Sequence, residues 1–225
     1  RLASRETIRM PKLTLYFGPG ACSLVPHITL EEAGAVFEAK PISLRKGHQR
    51  TPEYLALNPK GKVPLMLVDG KPLTENIAIA YYLAKSFPSA KLLPMGDLNA
   101  EAEAMSLLGW CGSGIHPRFG ALFAPQKMCD LPDSADNVKK LAAEDTAKNF
   151  AMVEKMLAGK EWILGQWSIV DAYLFTFWRW AGFLKLDLSA YPNYARHASR
   201  MAERPSVTRA LAREAEAQAA LDKAA

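Results

Sequence analysis

Apolar and polar positions divide the chain into two unlike halves. In the first, Leu13 to Phe17 has the run length and bounding turn of a short strand. Leu24 and Ile28, then Thr29 and Ala33, fall at i,i+4 and predict a helix over about 22–34, ended at Gly34. Gly18-Pro19-Gly20 is the turn between them. Val36 to Ile42 reads as a second strand, and Arg45 to Tyr54 as a polar loop with a helical turn opening at Pro52. Asn58-Pro59 and Lys60-Gly61 are turn signals. Leu65 to Val68 is a strand, and Asp69-Gly70 turns the chain back into an antiparallel Lys71 to Leu73. Thr74-Glu75-Asn76 opens a helix with Ile77, Ala80, Tyr81 and Ala84 at helical spacing. The order is βαβ then ββα, an α/β sheet domain of about eighty residues over 10–87.

A linker over 88–97 follows, and the pattern then becomes helical throughout 98–225. Helices are predicted at about 98–123, 135–158, 168–183, 191–203 and 205–217, punctuated by Pro125, Pro132, Gly159, Gly165, Pro192 and Pro205. The end from Ala210 to Ala225, rich in Ala and Glu, is expected to fray. Ser168-Ile169-Val170-Asp171 has the spacing of a capping box, with Ser168 and Asp171 fixing the start of an apolar helix. All five tryptophans lie in this half.

Composition narrows the class. The 49% apolar content suffices for a large core. The net charge is +5, of which residues 1–9 carry +2, and no basic cluster is interleaved with aromatics. That excludes a nucleic-acid footprint and leaves only a weak pull on anionic small molecules. Cys22, Cys111 and Cys129 lie far apart, which fits a reducing compartment. No run reaches the length of a membrane span, and no secretory apolar segment opens the chain, so a cytoplasmic protein is expected. Residues 1–9 read as a leader, an upstream start or a cloning remnant. No Cys/His spacing suggests a metal site, and no glycine-rich nucleotide loop is present.

Candidate chemistry centres on Cys22, where a strand stops and a helix starts. Pro26 fits only if that helix begins close by. Unsatisfied N–H groups and the helix dipole would favour the reactive thiolate there. The competing reading is a half-buried cysteine that packs. Pro64, at the entry of a strand, calls for an explanation that a cis bond after Val63 would supply.

Four stretches carry a resemblance. They are Gly18-Pro19-Gly20-Ala21-Cys22-Ser23 with Pro26-His27-Ile28; Asn58-Pro59-Lys60-Gly61-Lys62-Val63-Pro64; Leu73-Thr74-Glu75-Asn76; and Ser168-Ile169-Val170-Asp171-Ala172-Tyr173-Leu174-Phe175. In this order and spacing, from about Lys12 to Ala210, the chain resembles bacterial glutathione transferases, most closely the beta class. The resemblance implies a thioredoxin-like N-terminal domain, an all-helical C-terminal domain and a homodimer. It implies a cis Pro64, the Val63 backbone pairing with the cysteinyl part of glutathione, and Glu75 with Asn76 holding its γ-glutamyl end. Lys46 would reach the glycine carboxylate, or stand solvated.

Cys22 matches the cysteine that marks the beta class. Without a second cysteine three residues on, a dithiol cycle is not available and chemistry runs through glutathione itself. Cys22, Ser23 and Tyr16 are candidate donors to its sulfur. His116 falls where the class has a histidine near that sulfur, although Pro117, Gly114 and Gly109 depart from the usual pattern. The alternative for His116 is a residue satisfied locally at a helix kink. Phe119, Phe123 and Trp180 are core aromatics or walls for a small hydrophobic electrophile, and His27 is expected to make a polar contact within the first helix. The implied activity is conjugation of the glutathione thiol to such electrophiles, with thiol–disulfide or peroxide reduction as a further possibility. A dehalogenase or ether-cleaving enzyme on the same scaffold, or a non-catalytic glutathione-binding protein, stands as the alternative.

Overall fold

The computed structural model describes residues 10–224; the reading of residues 1–9 lies outside them. The first half contains β1 (Leu13–Phe17), α1 (Leu24–Glu32), β2 (Phe37–Pro41), α2 (Pro52–Leu57), β3 (Leu65–Val68), β4 (Lys71–Thr74) and α3 (Asn76–Ser86). The sheet order is β2-β1-β3-β4, with β1 parallel to β2 and antiparallel to β3, which is antiparallel to β4. This is the thioredoxin-like arrangement. Alternation along β1 divides its side chains. Leu13, Leu15 and Phe17 enter the large core with α1 and α3, while Tyr16 packs with Ile42, Tyr54 and Leu65 in a smaller cluster.

The second half is helical: α4 (Leu98–Trp110), α5 (His116–Phe123), α6 (Ala135–Met156), α7 (Ile169–Phe183), α8 (Pro192–Glu203) and α9 (Pro205–Lys223). The helix predicted over 98–123 is interrupted by a wide π-helical turn at Cys111–Ile115. The predicted fraying from Ala210 is overturned, since α9 continues to Lys223. Alanine, glutamate, leucine and lysine are strong helix formers. Contacts from Arg45 to Asp222 and from Lys46 to the Leu221 carbonyl tie down its last turns.

Helix α1 is buried along nearly its whole length, because the sheet covers one side and α7 and α9 the other. Its charged residues are therefore paired across the halves, Glu31 with Arg209 and Arg213, and Glu32 with Arg204 and Ser206. His27 is fully buried too. Its expected contact within α1 is replaced by one with Glu214 of α9, at 3.5 Å.

At the start of α7, Asp171 is fully buried. One carboxylate oxygen accepts from the Ser168 N–H at 2.8 Å, closing the capping box, and from the Ser168 hydroxyl at 3.0 Å. The other accepts from the Ile163 N–H at 3.0 Å and lies 2.9 Å from His197 Nε2. Removing the carboxylate strands several buried donors at once. Asp171→Ala is therefore expected to lower the unfolding free energy by about 3 kcal/mol, read from urea denaturation; a loss below about 1 kcal/mol would show that these donors find other partners.

Candidate active site

The turn Gly18-Pro19-Gly20 delivers the chain from β1 to α1. Ser23 locks it, its hydroxyl accepting from Gly18 N–H at 3.1 Å and donating to Gly18 C=O at 3.2 Å. The helical half holds the same turn from outside. Trp180 Nε1 donates to the Gly20 carbonyl, and Glu214 Oε2 accepts from the Gly20 N–H, both at 2.8 Å. Cys22 follows, two residues ahead of α1. Its sulfur contacts the Val63 carbonyl at 3.4 Å, across the cis Val63-Pro64 peptide.

Cys22, Val63, Pro64, Glu75, Asn76 and His116 line one cavity of about 500 Å³. Asn58, Lys60, Lys62 and Thr74 supply the rest of its polar lining. Ile77, Gly112, Pro117, Gly120, Met128 and Tyr173 complete it. Lys60 Nζ bridges Glu75 Oε1 at 2.5 Å and Thr74 Oγ1 at 2.9 Å. Asn76 Nδ2 donates to the Cys22 carbonyl at 3.2 Å, while its buried Oδ1 has no partner among the described residues. His116 Nδ1 lies 2.9 Å from the Tyr173 hydroxyl.

Burial sets the electrostatics here. It pushes the Cys22 thiol up to about 12, which weighs against a helix-stabilised thiolate. Desolvation of the charged form outweighs what the backbone donors give back. Burial, reinforced by the Lys62 ammonium, holds His116 down at about 4. Burial also pushes the Tyr173 phenol well above its ordinary value. At neutral pH the sulfur end of the cavity is a set of neutral groups.

Other expected residues stand elsewhere. Ser23 is fully buried and spent on the Gly18 peptide. Tyr16 faces away from the cavity because strand alternation turns it toward Tyr54. Lys46 donates to the Leu221 carbonyl at 2.6 Å and does not line the cavity. Phe119, Phe123 and Trp180 do not line it either. Phe119 is fully buried and stacked on Phe177, and Trp180 packs between His116 and Phe123. They form an aromatic layer behind His116.

Tyr173 was not identified as a site residue from sequence. In the chain it stands only as part of the stretch Ser168 to Phe175 that carries the resemblance. Among the described residues no group of three or more His, Cys, Asp or Glu side chains could hold a metal ion. None of the described helices is long and apolar enough to cross a membrane.

Comparison with known proteins agrees with this geometry. The glutathione S-transferase N-terminal domain family matches residues 11–85 and the C-terminal domain family residues 119–205. A glutathione S-transferase, GstA, of Escherichia coli O157:H7 is 38% identical over 205 residues, covering 90% of this chain and 98% of its own. The structure of a sphingomonad glutathione S-transferase complexed with glutathione superposes with a TM-score of 0.80 at 37% identity, over 90% of this chain and 98% of that one. The beta class enzyme of Sphingomonas chungbukensis gives 0.79 at 38%, over 89% and 98%. The chain belongs to the glutathione S-transferase family.

Proposed function

We propose that the protein binds glutathione in the cavity and joins it through its sulfur to small hydrophobic electrophiles, acting as a cytoplasmic homodimer. The observation that carries this is the division of one cavity into a charged end, at Lys60, Glu75 and Asn76, and a neutral sulfur end, at Cys22, His116 and Tyr173. Glu75 would take the γ-glutamyl ammonium in place of Lys60, and the N-terminus of α3 its carboxylate. The Val63 backbone would pair with the cysteinyl segment. That leaves the ligand sulfur beside Cys22 and His116.

Cys22 serves this reaction as a thiol. A protonated Sγ–H donates to the glutathione thiolate, whereas a Cys22 thiolate would repel it. With the Tyr173 hydroxyl donating to His116 Nδ1, the imidazole proton would sit on Nε2 as a second donor. Glutathione gives up its thiol proton to solvent, and the thiolate, held by these donors, attacks an electrophilic carbon. A C–S bond forms, and the displaced group leaves with its electron pair. The raised Cys22 value disfavours Cys22 itself as the attacking thiolate.

Two outcomes test the reading. Glu75→Ala should weaken glutathione binding by about 1–2 kcal/mol, roughly five- to thirtyfold by calorimetry, because a charge-assisted contact at an exposed side chain is lost. Unchanged affinity would remove Glu75 from the site. His116 should stay neutral until pH falls to about 4. Its NMR ring signals should hold their neutral positions at pH 5; titration near pH 6.5 would overturn its assignment.

The same shift has a stability consequence. His116 is depressed in the folded protein, so the unfolded chain takes up the proton first as pH falls. Its stabilising contribution is complete above about pH 6.5 and is lost as pH falls toward 4. His116→Gln should flatten the dependence of unfolding free energy on pH in that window.

A further inference from the structure

One face of the cavity is a continuous run of helix from the end of α4 through the wide turn into α5. It presents Gly112, His116 and Gly120 at four-residue spacing. Glycine is a weak helix former, so each one inside a helix calls for a local reason. The reasons differ along this run. A Cβ at Gly114 would strike the Trp110 indole at 2.5 Å, and one at Gly112 would press on Ile77 Cδ1 at 3.3 Å. A Cβ at Gly120 would meet nothing within 4 Å. Gly120 also has no positive φ. Neither packing nor backbone conformation therefore demands glycine at this position. The open space before it belongs to the cavity.

Apart from His116, this run brings no polar side chain to the cavity. Beside Gly120 the cavity is lined by Pro117 and Met128, and the charged side chains that reach it come from residues 60–62 and 75 instead. A second observation marks the cavity as built for a ligand. The Asn76 side chain is 8% exposed, lines the same space, and its Oδ1 has no partner among the described residues.

We infer that Gly120 sets the size of the second substrate: its missing side chain makes room for a wide, uncharged aryl group carried next to the glutathione sulfur. This rests on the glutathione-binding reading above. The group lies flat on the bare backbone of α5 between Pro117 and Met128. A Cβ at 120 meets nothing within 4 Å, so a side chain there would fill that room first. Gly120 is thus a specificity residue for size, while His116, one turn earlier, faces the sulfur.

Calorimetry with glutathione and with S-methyl, S-benzyl and S-(1-naphthylmethyl) glutathione tests this on the wild type, Gly120→Ala and Gly120→Leu. The wild type should bind the naphthylmethyl compound at least as tightly as the S-methyl one. Gly120→Leu should weaken the naphthylmethyl compound by about thirtyfold or more and leave S-methyl glutathione within about threefold. Gly120→Ala should show the same selectivity to a smaller degree, with a melting temperature at or above the wild type. It carries the test if the leucine variant folds poorly. Equal losses for all ligands, or no loss for any, would overturn the role of Gly120. Failure of the wild type to bind glutathione itself would sink the proposed function, and this inference with it.

Discussion

The backbone of Gly20 is the point on which the site depends. Its carbonyl is held by Trp180 of α7 and its N–H by Glu214 of α9, so the thiol-bearing turn of the sheet domain is fixed by two helices of the other domain. The partners are nearly buried, with Trp180 9% and Glu214 5% exposed. In that environment an unmade hydrogen bond is costly, which favours a single position for the turn. Glu214 also faces His27 across α1, and Glu31 and Glu32 of α1 pair with arginines of α9 and the preceding cap. The first helix is thus a shared element of the two domains. The position of Cys22 follows from both.

The electrostatics of the cavity follow from where water is excluded. Lys60, Lys62 and Glu75 are exposed to solvent. Cys22, His116 and Tyr173 lie where desolvation dominates, and each is driven to its neutral form. A neutral, donor-rich pocket suits a single incoming thiolate. A pocket already holding a Cys22 thiolate would repel it. In the proposed reaction this placement of charge suits a nucleophile on the ligand and supporting donors on the protein.

What the chain disclosed in advance was local. The Asp69-Gly70 turn, the capping residues Ser168 and Asp171, and the glycines and prolines that end helices all act within a few residues. Their signals survive in a one-dimensional reading. Cys22, Val63, Pro64, Glu75, Asn76 and His116 were named as site residues, and the fold gathers them around one cavity. The expected residues that do not line the cavity depend on direction or on distance. Ser23 and Tyr16 adjoin the right turn but point elsewhere. Lys46 is taken by a carbonyl 175 residues away. Tyr173 meets His116 across 57 residues, a pairing no spacing rule could supply.

Glu75 shows how much local cost the arrangement accepts. It stands at φ +75° and ψ 127°, a conformation that residues with a side chain rarely adopt, immediately before α3 begins at Asn76. Such a backbone costs on the order of 1–3 kcal/mol. Glycine would remove most of that strain, but it would also remove the carboxylate that pairs with Lys60. The sharp bend lets two consecutive residues serve one cavity. Glu75 extends from the end of β4, while Asn76 starts the helix and reaches back to the Cys22 carbonyl at 3.2 Å. A regular entry into α3 would carry successive side chains about 100° apart around the helix axis and separate the pair. The strained residue therefore links the charged end of the cavity to its sulfur end. The surrounding sheet, with β4 registered on β3 from Lys71 to Thr74, holds it there.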